Sequence, residues 1–376
     1  MEILIFIAVI VALIVVHEFG HFVAAKISGM RVDEFGLGYP PRVLVIGKVG
    51  ETEYTLNWLP FGGFVKIYGE DPSTTTAQTR LATGQAVDPR AFSSKNRFLQ
   101  ALVLVAGVAM NLLFAYALIT GALIAGTPRA LSDNEIAVAK NVELAVANVL
   151  PGSPADEAGL LPGDVILSAE DGHNLLSETS PSAFTKFVSE GGFNKTITLS
   201  VRHGSGEEKT IFVRPEAGVI STDPSRYALG VEVATIGVAP LSLDSAIVEG
   251  ARITWGATVL TAVGLWHFFY GIFTLSADLS QVAGPVGIAG VVGSASLQGA
   301  GYLLSIMAII SINLALINLI PVPALDGGRL LFVIIESIIR RPINVRIAQS
   351  INAIGFLFLI LLMLVVTAND IFKIVS

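Results

Sequence analysis

Residues 3–27 read ILIFIAVIVALIVVHEFGHFVAAKI, an apolar run whose only ionisable residues are His17, Glu18, His21 and Lys26. An α-helix rises 1.5 Å per residue, so about 20 such residues cross a hydrocarbon core of ~30 Å. The alternative is a secretory signal, but those begin with a basic segment, and this run begins after Met1-Glu2. It is therefore read as a membrane span. A charged residue at membrane depth costs about 2.5–3.5 kcal/mol or more and usually serves function. Here three ionisable residues fall within five positions, His17-Glu18-Phe19-Gly20-His21. On a helix, residues four apart share one face, about 6 Å apart along the axis, so His17 and His21 can reach one metal ion. Zinc lowers the pKa of a bound water toward about 7, and Glu18 is placed to take its proton. The alternative is a pair of satisfied histidines at the membrane edge.

The composition agrees with a membrane protein. Of 376 residues, 53% are hydrophobic and 14% charged, against about 25% charged in soluble domains. There is no cysteine, which excludes disulfides, thiol catalysis and thiolate zinc sites. The net charge of −7 shows no basic stripe, so nucleic acid is not an expected partner. The length allows two or three domains.

Further apolar runs lie at 98–124, 302–339 and 351–366, giving about four spans. The third contains Asn313, Asn318, Pro321, Pro323 and Asp326, so it is not one uniform helix. Residues 251–275 carry Trp255, Trp266, His267 and Tyr270, which favour an interfacial or re-entrant helix over a fifth span. Two polar regions separate the spans. In 28–96, Tyr54 to Trp58 and Gly63 to Tyr68 alternate like strands, and 75–90 reads as a flexible loop. The other, 127–250, is large enough for a small domain. It holds 8 Lys/Arg against 17 Asp/Glu, whereas the short loop after the third run holds Arg340, Arg341 and Arg346. The positive-inside rule puts that loop and the first polar region in the cytoplasm, and 127–250 and both termini outside.

Two histidines leave a metal one ligand short. His173, His203 and His267 are read as surface or interfacial residues. Asp326, in Asn318-Leu-Ile-Pro321-Val-Pro323-Ala-Leu-Asp326-Gly327-Gly328, is the stronger candidate. Prolines break the helix and glycines permit close approach, and binding a cation resolves the cost of an acid there. His17, His21 and Asp326 would leave the fourth zinc position open, as catalysis requires. The competing reading is a helix N-cap.

Together these residues resemble the site-2 protease family of intramembrane zinc metalloproteases, over most of the chain. HEFGH (17–21) resembles its first motif and NLIPVPALDGG (318–328) its later Asn-Pro-x-Pro-x-Leu-Asp-Gly motif, in the family's order. The resemblance implies that Asp326 is the third ligand of one Zn2+ and that Asn318 holds the substrate backbone. Gly107-Val-Ala-Met-Asn111 is similar to the family's Gly-x-x-x-Asn motif, which makes Asn111 a candidate substrate contact; a helix–helix contact is the alternative. Phe61-Gly62-Gly63-Phe64-Val65-Lys66 resembles its β-hairpin near the site, with Gly62, Gly63 and Phe64 able to bind substrate by strand addition; an ordinary turn is the alternative. Gly284-Pro285-Val286-Gly287 resembles a further family segment of unread role. Arg329 departs from the pattern, since some relatives carry His there.

Residues 152–166 fit GSPAxxAGLxxGDxI and look like the core of a PDZ domain, placed at about 138–236, with strands at Thr196 to Val201 and Thr210 to Val213. The expected architecture is a polytopic α-helical membrane protein with a cytoplasmic β-hairpin region and one inserted extracytoplasmic PDZ domain. Its parts are 1–126, 138–236 and 245–376. The expected function is a zinc metalloendopeptidase of the bacterial cytoplasmic membrane, with its site near the cytoplasmic side and Glu18 as base. Its partners would be single-span membrane proteins, such as anti-sigma factors or signal-peptide remnants, after an upstream site-1 protease. The PDZ domain would act as a size filter or a spacer. The rival readings are a zinc transporter, which should show repeated halves, and a PDZ scaffold, which should not need Glu18.

Overall fold

The computed structural model describes residues 2–70, 88–136, 139–172, 174–176, 180–191, 195–203, 207–219, 223, 225–274, 276, 283–341 and 343–375. Most of the loop expected at 75–90, and His173, lie outside the described residues. The chain forms two compact units, one of Met1–Ile124 with Ser242–Ser376 and one of Ala125–Leu241.

The first unit is built on α1 (Glu2–Ile27). It is apolar on every side, as expected of a helix that lies among other helices or lipid. It stops in a Schellman turn: Gly29 takes φ +65°, Met30 N–H donates to the Ala25 carbonyl and Gly29 N–H to that of Lys26. Two long strands follow, β1 (Val32–Val49) and β2 (Thr52–Ile67). The outer part of β1, 42–49, pairs with 52–57, while its inner part, 32–37, lies beside both 53–56 and 63–67. The strand expected at Gly63 to Tyr68 is thus present and folded back toward α1. The outer end exposes Val43, Val45, Ile46 and Trp58.

Helix α2 (Arg97–Ala125) crosses α1 at glycines. A Cβ on Gly20 would stand 2.4 Å from the Ala106 carbonyl oxygen, and one on Gly107 would stand 2.4 Å from His21 Nε2. Small residues let backbones approach this closely where apolar packing drives association.

Within the second unit, β3 (Pro128–Ala130) and the one-turn α3 (Asp133–Ile136) precede β4 (Lys140–Val149), α4 (Pro154–Glu157), β5 (Val165–Glu170), β6 (Leu175–Leu176), α5 (Pro181–Gly191), β7 (Ile197–His203), β8 (Glu207–Val213) and β9 (Val231–Val238). The strand order is β3-β9-β4-β5-β7-β8, with β6 beside β5. Alternate residues of the strands and one face of α5 bury Leu144, Val146, Ile197, Leu199 and Phe184 in one core. Ser153 caps α4, its hydroxyl accepting from Asp156 N–H. His203 is held at the surface by Asp164, with Nδ1 2.5 Å from the carboxylate.

The first unit resumes with α6 (Leu243–Thr274), α7 (Pro285–Gln298), α8 (Ala300–Leu319), α9 (Asp326–Ile339) and α10 (Val345–Val375). Among the described residues, four helices are long and apolar enough to cross a membrane: Ile3–Ile27, Arg97–Ala125, Ala300–Leu319 and Val345–Lys373. Helix α6 is not among them, and it exposes Trp255, Trp266 and Tyr270. The third apolar run is two helices, α8 and α9, separated by Ile320 to Leu325. Helix α7 packs against α1, α8 and α10, with its Val292 buried beside Val9 and Leu13 of α1.

The segment Gly284 to Gly287 is a receptor for one carboxylate. Asp370, buried near the end of α10, accepts from Gly284 N–H at 3.1 Å and from Gly287 N–H at 2.8 Å. A Cβ on Gly284 would stand 2.7 Å from Asp370 Oδ2. The carboxylate therefore satisfies two amides that α7 itself leaves unpaired at its first turn. Asp370→Ala should lower stability by about 1.5–3 kcal/mol, the range for hydrogen bonds to a charged group. Thermal unfolding in detergent checks this, and an unchanged midpoint would count against the bond.

Candidate metal centre

His17 and His21 lie one turn apart on the buried face of α1, and Asp326 is the first residue of α9. The helix break carries Asp326 to them. Ala324 takes φ +76°, and a Cβ on Gly327 or Gly328 would stand 2.3 Å from backbone carbonyl oxygens of the preceding turn. Only glycine lets the chain double back so tightly. The N-cap of α9 is Leu325, without a side-chain cap, so the Asp326 carboxylate is not spent on capping.

It faces the two imidazoles instead. Asp326 Oδ2 is 2.9 Å from His17 Nε2 and 3.2 Å from His21 Nε2, and the two Nε2 atoms are 3.3 Å apart. Donors held about 2.0–2.1 Å from a tetrahedral zinc lie about 3.3 Å from one another, so the three atoms have the spacing of three corners of such a site. Gly107 provides the space: the position of its missing Cβ falls 2.4 Å from His21 Nε2 and 2.9 Å from His17 Cε1. The donors therefore fit a metal ion, and no fourth protein ligand joins them among the described residues.

A cavity of about 500 Å³ opens in front of the donors, lined by Glu18, His21, Gly63, Phe64, Glu70 and Arg329 among others. The Gly63 backbone packs against Glu18: a Cβ there would stand 3.3 Å from Glu18 Cγ and 3.2 Å from the Gly36 carbonyl oxygen. Gly62 takes φ +107° at the turn before it. Phe64 lies across Gly36, where a Cβ would stand 2.5 Å from its ring. Among the described residues the sheet has two strands, so the 63–67 stretch keeps one unpaired edge. Asn318, in the last turn of α8, brings Nδ2 to 3.4 Å from His17 Nε2. Glu18, His17, His21, Asp326, Asn318 and the Gly62–Phe64 hairpin thus meet at one place.

Asn111 is placed differently from the expectation. It is fully buried in α2, with Nδ2 3.2 Å from His17 Nδ1, and is not among the residues lining the cavity. Two cavity residues were not singled out as site residues. Glu70 and Arg329 form an ion pair of 2.6 Å that ties the chain after β2 to α9. Burial pushes the Glu70 carboxyl up, with Arg329 opposing. The partners are 259 residues apart, and nothing in either local stretch pairs one with the other.

Comparison with known proteins places the site in context. Residues 5–362 match the model of peptidase family M50. A Clostridium perfringens protein is 34% identical over 360 residues, 96% of this chain and 95% of its own. Zinc metalloprotease RasP of Geobacillus kaustophilus is 29% identical over 98% of this chain and 97% of its own. The chloroplastic membrane metalloprotease ARASP of Arabidopsis thaliana is 31% identical over 97% of this chain and 77% of its own. All three carry metalloprotease in their names.

The Gly107 contact makes a direct prediction. Gly107→Ala should weaken metal binding about tenfold or more, as loss of ligand positioning does. Gly121→Ala is the control, because its Cβ would meet only Leu304 Cδ1, at 3.8 Å. Chelator competition measures both; equal affinities would show that the cradle has no role.

Proposed function

The chain belongs to peptidase family M50, and on that premise we propose that it is an intramembrane zinc endopeptidase that cuts the spanning segments of single-span membrane proteins. The observation that carries this reading is the meeting of His17, His21 and Asp326 at 2.9–3.3 Å inside an apolar helical layer, with Glu18 on the cavity beside them. Three polar ligands at that depth answer to a cation and to little else.

His17 Nε2, His21 Nε2 and an Asp326 carboxylate oxygen would hold the zinc, which when bound would acidify water and polarise a carbonyl. Glu18 takes a proton from the attacking water and returns one to the leaving amine. Asn318 donates its amide N–H to the substrate backbone. The unpaired edge of 63–67 takes up the substrate as an added strand, with Gly62, Gly63 and Phe64 at the point of contact. This suits the chemistry, because a peptide bond inside a helix is shielded and an extended one is not. The about 500 Å³ cavity between that edge and Glu18 supports the placement.

Residues 138–236 serve as one PDZ domain facing away from the cytoplasm. Support comes from the 152–166 pattern, which lies on the Ser153-capped turn and runs into β5, and from the acidic balance of 127–250. It meets the outer part of the substrate as a filter or docking module, after an upstream protease has trimmed that part. The arginine loop at 340–346 supports a cytoplasmic side for the catalytic end of α1 and a location in a bacterial cytoplasmic membrane. Anti-sigma factors and signal-peptide remnants are the proposed substrate classes.

The test is cleavage of a single-span reporter by the purified full chain in detergent, comparing wild type with Glu18→Gln. General acid–base catalysis contributes about 10²- to 10⁴-fold, so the variant should lose at least that much rate while keeping about one zinc per chain. Equal cleavage by both proteins would remove Glu18 from the mechanism, and a wild type that binds no zinc would overturn the whole reading.

A further inference from the structure

A histidine that gives one ring nitrogen to a metal must place a proton on the other. The partner of that second nitrogen decides which nitrogen faces the ion. At His21 the assignment is direct. Nδ1 lies 2.7 Å from the Val103 carbonyl oxygen. A carbonyl only accepts, so Nδ1 carries the proton and the Nε2 lone pair points into the donor cluster.

His17 has a different partner. Its Nδ1 faces the Asn111 carboxamide, with Nδ2 at 3.2 Å, and Asn111 is fully buried. On the other end of the same amide, Oδ1 is buried with no hydrogen-bond partner. A buried acceptor without a donor is costly and asks for an explanation. The two ends of a carboxamide exchange by a half-turn about the last side-chain bond. After that turn Oδ1 faces His17 Nδ1 at hydrogen-bonding distance and Nδ2 takes the unpaired place, so one end is unsatisfied either way and His17 decides: an Nε2 lone pair turned to a metal requires Nδ1–H, which needs an acceptor.

We propose that Asn111 is a positioning residue of the metal centre, whose Oδ1 accepts the Nδ1–H of His17 and so presents the Nε2 lone pair to zinc. This rests on the zinc-peptidase reading. It gives the Gly107-to-Asn111 segment a role that neither substrate contact nor helix packing supplies. Val103, Gly107 and Asn111 are four residues apart and share one face of α2. The first orients His21 through its carbonyl, the second leaves room for both rings, and the third orients His17. Ser311 Oγ of α8 donates to the Asn111 main-chain carbonyl at 2.9 Å, which pins this face. The helix pinned there runs on to Asn318 and the break before Asp326.

The proposal separates acceptance from donation, and that can be read without activity. The full chain in detergent is titrated with zinc against a competing chelator, for wild type, Asn111→Leu and Asn111→Asp. Leucine has similar size and no acceptor, so affinity should fall about 10- to 100-fold, as for loss of a ligand's hydrogen-bond partner. Aspartate can only accept, and should stay within about threefold of wild type. Unfolding midpoints under excess chelator show whether the variants fold alike. If the amide instead donates through Nδ2, Asn111→Asp loses zinc as Asn111→Leu does, and the proposal is overturned. That comparison needs only the near-isosteric Asp variant, so it stands even if the Leu variant does not fold. Wild-type affinity in Asn111→Leu also overturns it. Failure of the wild type itself to bind zinc sinks the enzymatic reading, and is distinct from both.

Discussion

The membrane unit is organised around three polar ligand atoms set among apolar helices. His17, His21 and Asp326 are enclosed by apolar helices, and each must find its partners within the protein or on a cation. Surrounding features follow from that requirement. Helices α1 and α2 approach to backbone contact at Gly20 and Gly107, because a larger residue at 107 would occupy the imidazole position. The third apolar run breaks between α8 and α9, because an unbroken helix would carry Asp326 past the site. Non-helical backbone is tolerable at such depth only when buried in protein or facing a cavity, and here it does the second.

The site has two walls with different duties. The back wall is α2, which lines the cavity with Val103 and Leu104 and meets the ligands from behind: it supplies the Val103 carbonyl, the Gly107 gap and the Asn111 amide. The front wall is the 63–67 edge with the Glu70–Arg329 pair at its end. That ion pair joins the hairpin to α9, the helix that begins with Asp326. The edge that receives a peptide and the residue that holds the metal are thereby set at one distance. Exposed pairs contribute little, but Glu70 is largely enclosed, so removing Arg329 would leave a buried carboxyl without its cation.

How far the sequence could be read divides along the same line. HEFGH and the Asp326 segment were legible because helix period, prolines and glycines each point to one local geometry. The four spans were legible from length and hydropathy, and the strand at 63–67 from its alternation. What could not be read depended on rotation or distance. Gly107 and Asn111 share a face at a spacing that also marks helix packing. Only the rotation of α2 decides whether the amide meets substrate or a ligand. The Asp370 carboxylate and the Gly284 and Gly287 amides are 83–86 residues apart, with no periodicity to join them. Helix α7 was hidden because its glycine-rich sequence, PVGIAGVVGSASLQ, carries neither a charge stripe nor a long apolar run.

That glycine content has a physical logic. A helix in water loses stability at each glycine, because the unfolded chain gains freedom. In an apolar layer, close backbone approach is itself the source of association, and glycine permits it. The distribution here is selective. Gly20, Gly107, Gly284, Gly327 and Gly328 each leave space that a Cβ would fill at 2.3–2.7 Å. Gly256, Gly264 and Gly290 have nothing within 4 Å. Gly107 meets the metal ligands, Gly327 and Gly328 form the turn that presents Asp326, and Gly284 meets the Asp370 carboxylate, while Gly250 against Thr120 and Gly355 against Pro323 are equally crowded at 2.5 Å in plain packing. In a membrane interior, the spaces that glycines keep open are as much part of a polar site as the side chains that fill them.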